Sequence, residues 1–110
     1  MAIPATSLAA VTVNSTNPGI GVSMPLGAAF SKHAALFTVE DWTGSGSMNL
    51  YIEGSLDGNS WFEMTDTSVG SDAQVHIAPV VVLALYVRAR AQVGAGTPSA
   101  TVTGVVVSAA

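Results

Sequence analysis

Apolar and polar residues alternate along most of this chain, the two-residue period of a strand with one face in a core and the other outside it. The segment MNLYIEG, residues 48–54, is the strictest case: Met48, Leu50 and Ile52 share one face, Asn49, Tyr51 and Glu53 the other. ALFTVE, residues 35–40, sets Leu36 and Thr38 against Phe37 and Val39. Earlier, LAAVTV and IGVSM read as short strands either side of the turn-rich NSTNPG. Later, QVHIAP leads into VVVLALYVRARAQV, whose first part is apolar on both faces, as suits the middle of a sheet or a subunit contact. Its second part alternates again, with Tyr86, Arg88 and Arg90 opposite Val87, Ala89 and Ala91. GAGTPS is a turn and ATVTGVVVS the last strand. LGAAFSKHAA, residues 26–35, is the one place where alanine content favours a helical turn.

The stretch YIEGSLDGNSWFEM predicts a hairpin. Asp57 can accept hydrogen bonds from the backbone two residues on, and Gly58 takes a positive φ without a Cβ clash. On the returning strand Trp61 and Glu63 face one way, Phe62 and Met64 the other, so one side feeds the core and the other an exposed or interfacial patch. TDTSVGSDA, after it, reads as a loop. Together these segments predict an all-β chain of seven or eight short strands, an antiparallel β-sandwich or a jelly-roll-like barrel, in one domain over residues 1–110.

Composition narrows the function. Charged residues are 9% of the chain against roughly 25% in ordinary soluble domains, while 49% are apolar, so Ser, Thr, Asn and Gly cover much of the surface and part of the apolar surface is expected in a subunit contact. The net charge of −4 sets seven carboxylates against Lys32, Arg88 and Arg90. Three scattered cations make no basic stripe, which argues against binding to nucleic acid or to an anionic membrane. The longest apolar run, Ile77 to Val87, is interrupted by Pro79 and falls short of the about 20 residues a spanning helix needs. The start lacks the positive region of a secretory signal, and there is no cysteine for a disulfide or thiolate site.

Candidate chemistry is sparse. His33 and His76 are the available bases and neither sits in a nucleophile motif. Glu53 and Glu63 stand on the two arms of the hairpin and can approach across it, a carboxylate pair of the kind glycosidases use, but a small sandwich offers no evident cleft around them. The DGN of Asp57 to Asn59 starts like a calcium loop, yet Trp61 and Phe62 occupy places where an oxygen ligand and the glycine belong. GAG at Gly94 to Gly96 lacks the lysine of a phosphate loop. These readings predict no catalytic residue, no metal and no cofactor. Trp42 and Trp61 could stack on a sugar ring, or pack in a core or against a neighbouring chain.

The block FTVEDWTGSGSMNLYIEGSLDGNSWFEM, with the later YVRARAQV and ATVTGVVVSA, resembles small β-sandwich proteins of tailed-phage virions, particularly capsid decoration and related minor structural proteins. The shared phrase is GSLDGxxW after a strand and a closing strand of the form YVRAR, here Gly54 to Trp61 and Tyr86 to Arg90; the match covers roughly residues 35–109. This resemblance implies a bacteriophage virion protein without catalysis, bound through the major capsid protein to the capsid surface, often as a homo-oligomeric trimer, and assembled in the cytoplasm of the bacterial host. Aromatic residues carry a large share of interface energy, so Trp42, Tyr51, Trp61 and Tyr86 are the expected anchors. S-x-DG-x-x-W also occurs in discoidin-like carbohydrate-binding modules, which makes a sugar-binding or host-surface adhesion module of a virion or tail the alternative.

Overall fold

The computed structural model describes residues 2–110 and resolves the alternating pattern into seven strands: β1 (Ala2–Val13), β2 (Gly19–Ile20), β3 (Met24–Thr43), β4 (Gly46–Ser55), β5 (Phe62–Val69), β6 (Ala73–Gly96) and β7 (Ser99–Ala109). All pair antiparallel, in the order β1-β7-β3-β6-β4-β5, with β2 beside β6. The two ends of that path do not meet, so the sheet is not closed and the jelly-roll-like barrel gives way to a folded-over sheet.

Two strands are long because each serves both halves of the fold. β3 pairs with β6 at Met24 and Pro25, breaks register, and resumes at Phe30; the break contains Gly27, at φ 76°. β6 follows β3 from Ala73 to Ala84, then takes β4 as its partner from Tyr86 to Gly96. The strands therefore turn a corner and form two layers, as strands that switch sheets by bends and bulges do. One layer is β1, β7 and the greater parts of β3 and early β6; the other is β5, β4, late β6 and β2. Gly104 of β7 comes so close to β6 that an added Cβ would lie 3.0 Å from the Cβ of Ala89, which fixes the layers face to face.

The alternation predicts the core faithfully. Leu8, Val13, Phe37, Val39, Val102 and Val106 from one layer meet Met48, Leu50, Ile52, Val87, Ala89 and Ala91 from the other, all buried. Ser7 stitches the layers along one side: its hydroxyl donates to the Val22 carbonyl and accepts from the Ala89 N–H, 2.9 Å away.

Four local expectations change. Residues 26–35 form strand, not a helical turn, because the ladders to β6 and β7 from Phe30 onward outweigh the weak helical preference of a few alanines. TDTSVGSDA is strand through Val69; as the outermost strand of its layer, β5 needs apolar residues on one face only. QVHIAP and the run after it are one strand. Finally, the doubly apolar run is not mid-sheet: up to Ala84 its ladder partner is β3, and Val81, Leu83 and Leu85 stand exposed.

Candidate functional site

The hairpin turn is built as its residues require. Asp57 Oδ1 accepts from the backbone N–H groups of Asn59 and Ser60, both at 2.8 Å, and from the Ser55 hydroxyl; Gly58 has φ 80°. Those donors favour the ionised form and hold the Asp57 carboxyl below its ordinary value of 3.8, the Ser60 N–H first. The ring of Tyr86 lies over Gly58, where a side chain would meet it at 3.2 Å.

Beside this turn, β4 and late β6 pair Tyr51 with Arg90 and Glu53 with Arg88. Glu53 is buried, and its two oxygens accept from Nε of Arg88 at 2.8 Å and Nε of Arg90 at 2.9 Å. Each guanidinium also lies over an aromatic ring, Arg88 on Trp61 and Arg90 on Tyr51, both 4.1 Å from the ring centre. Arg90 further donates to Gln92 and comes within 3.7 Å of Glu63. The result is a ladder of rings and guanidinium groups around one carboxylate, across the outer face of three strands. Planar guanidinium groups suit both the stacking and the carboxylate.

This places the expected residues. Glu53 and Glu63 do stand opposite each other on the hairpin, but Glu53 is tied to two arginines and Arg90 lies near both carboxylates, so the pair holds strands. His33 is buried, with Nε2 facing the carbonyls of Phe30 and Val82 at 3.1 and 2.9 Å and Nδ1 2.7 Å from Ser108 Oγ. Two carbonyls at Nε2 require hydrogen there, and with Nδ1 paired to the Ser108 hydroxyl the ring ties β3, β6 and β7 together. His76 is exposed on the outer face opposite Leu36. Among the described residues, no group of three or more His, Cys, Asp or Glu is placed to hold a metal ion.

Of the four expected anchors, Tyr51 and Trp61 are brought together in the ladder, with one face of each ring taken by a guanidinium. Tyr86 continues that face at the turn and helps line a shallow groove of about 260 Å³ with Pro25, Gly27, Leu56 and Leu85. Trp42 lies elsewhere: it packs on the core beside the β3–β4 turn, its indole N–H donating to the Gly44 carbonyl and its backbone N–H to Asp72. The anchors therefore form no single patch.

The surface that reading the anchors missed is the outer face of the other layer. In β7 every second residue from Thr101 to Val107 points away from the core. Val105 lies between Thr6 of β1 and Leu36 of β3, and Val107 between Pro4 and Ala34. The alternation of ALFTVE and TVTGVVVS carried the signal, although the chain's aromatic residues drew attention to the opposite face.

No family model matches the chain, and no curated protein matches it. Among solved structures it is similar to the PBSX exported protein XepA, with TM-score 0.70 and 18% identity over 98% of this chain and 37% of that one. It is also similar to PirA, with TM-score 0.57 and 15% identity over 94% of this chain and 90% of that one. A weaker alignment, to infectious bursal disease virus Gx strain, has TM-score 0.43 and 12% identity over 97% of this chain and 32% of that one. The chain thus spans little more than a third of the XepA chain, and the likenesses to XepA and PirA show a shared fold.

Proposed function

We propose that this chain is a structural protein of a tailed-phage virion, a capsid decoration protein that binds the assembled head as a homo-oligomer and strengthens contacts between capsid subunits without catalysing a reaction. The observation that carries the reading is that GSLDGNSW and YVRAR, the two separate pieces of sequence behind the resemblance, fold onto each other as one unit. Trp61 of the first stacks on Arg88 of the second, Tyr86 of the second sits on Gly58 of the first, and Glu53, just before the first, joins the arginines. The fold likeness to the PBSX exported protein XepA is in keeping with it.

Mechanistically, a protein that binds the completed shell and not its separate subunits stabilises the shell by mass action. Trp42, Trp61 and Tyr86, all half-buried, keep edges free to contact a neighbour, whereas Tyr51 acts by seating Arg90. The test is sedimentation of the purified chain with shells assembled from the major capsid protein encoded in the same genome. Co-sedimentation and a higher temperature of shell disassembly are expected. A chain that stays in the supernatant but binds a glycan array, and loses that binding on Trp61→Ala, would replace this reading with the sugar-binding one.

A further inference from the structure

The outer face of the β1-β7-β3-β6 layer has an unusual charge pattern. Its central row runs Thr6, Val105, Leu36, His76 across the four strands. Along β3, Lys32 stands four residues to one side of Leu36 and Glu40 four residues to the other, both exposed on this face. Between the rows of Lys32 and Glu40, no outward position on the four strands is Asp, Glu, Lys or Arg. Leu36 is 40% exposed, a large apolar side chain at the midpoint of a field free of Asp, Glu, Lys and Arg, with one positive and one negative end.

From this pattern we infer that the face packs against the same face of a second copy. The twofold axis lies in the contact plane, crosses the strands at right angles and passes by Leu36. That axis reverses β3 of one copy over β3 of the other, so Leu36 meets its counterpart and Lys32 comes over Glu40 of the second copy at both ends. The alternative twofold, along the strands, would set Lys32 over Lys32 and Glu40 over Glu40. Stacked sheets lie about 10 Å apart, a gap that lysine and glutamate side chains together can close. The opposite layer is less suited to self-contact: its arginines are already committed to Glu53 and its rings, and Glu63 and Asp66 would face their own like.

Size sets the expected strength. Eight residue steps by four strands is a patch of about 27 by 19 Å, roughly 500 Å² on each copy, near the lower limit for a specific pair. The contact is a weak, reversible dimer, twofold where the resemblance implies a trimer. It deepens the oligomeric part of the proposed function and is independent of shell binding: a chain that ignores shells yet dimerises this way would leave this inference standing.

Light scattering and sedimentation of the intact chain across a concentration series test it. The wild type should approach twice its 11.1 kDa at high concentration. Leu36→Glu, which sets two carboxylates on the axis, should remain monomeric with an unchanged far-UV spectrum, while Leu56→Glu on the other layer should dimerise normally. Lys32→Glu should weaken the dimer about tenfold, since it replaces two attractions with two repulsions, and Lys32→Glu with Glu40→Lys should restore it. A wild type that stays monomeric, an oligomer indifferent to Leu36→Glu, or a charge swap without recovery would overturn the inference.

Discussion

Glu53 shows how one buried carboxylate can organise a surface. Two guanidinium groups satisfy its oxygens, and the same two groups cover Trp61 and Tyr51, so a single side chain fixes the geometry of four neighbours. Removing it leaves two like charges side by side. Their side chains are 19% exposed, so both can turn partly to water, and the loss is smaller than for a fully enclosed pair. Glu53→Ala is expected to destabilise the fold by about 2–3 kcal/mol in urea unfolding, and to lower the anisotropy of the Trp61 signal as Arg88 leaves the ring. A cost under about 0.5 kcal/mol would mean that the ladder is surface decoration. The pairing of Glu53 with Glu63 was legible, because a DG turn of known length sets the register of its hairpin. The burial of Glu53 was not, since alternation assigned it to the outer face and only the bulk of Arg88, Arg90, Trp61 and Tyr51 encloses it there.

Among the elements, β7 decides how closely the layers approach. Gly104 faces inward between Val102 and Val106, and a Cβ there would sit 2.9 Å from Phe37 Cε1 and 3.0 Å from Ala89 Cβ. Gly104→Ala is therefore expected to cost about 1–3 kcal/mol by overpacking, read as a lower urea midpoint at unchanged slope. An unchanged midpoint would show slack between the layers. Strands with an apolar face toward the core were readable: Met48, Leu50, Ile52, Phe37 and Val39 all landed inside. Strand lengths were not. Pro79 reads as a break, but proline is tolerated where a strand has an open side or a bulge, and here the β3–β6 register shifts beside it. The segment Leu26 to Ala35 reads as helix because alanine-rich segments favour helix until a ladder claims them, and the ladders to β6 and β7 do so from Phe30 onward.

At the scale of the whole molecule, β3 and β6 run through both layers, and neither layer owns a complete set of strands. The layers cannot separate without breaking continuous backbone, so a single cooperative transition is expected. Fluorescence of the single-tryptophan variants Trp42→Phe and Trp61→Phe reports on opposite layers. Both should share one urea midpoint with far-UV circular dichroism, and two distinct midpoints would show that the layers melt independently.

The pairing of β1 with β7 also begins at Ala2 opposite Ala109, so both strand ends lie at one corner. Tension applied there runs along the inter-strand hydrogen bonds, which are perpendicular to antiparallel strands, and opens them one after another like a zipper. That pair of strands therefore resists little when pulled apart at this corner, whereas a load in compression or shear on the broad faces is shared by every ladder at once.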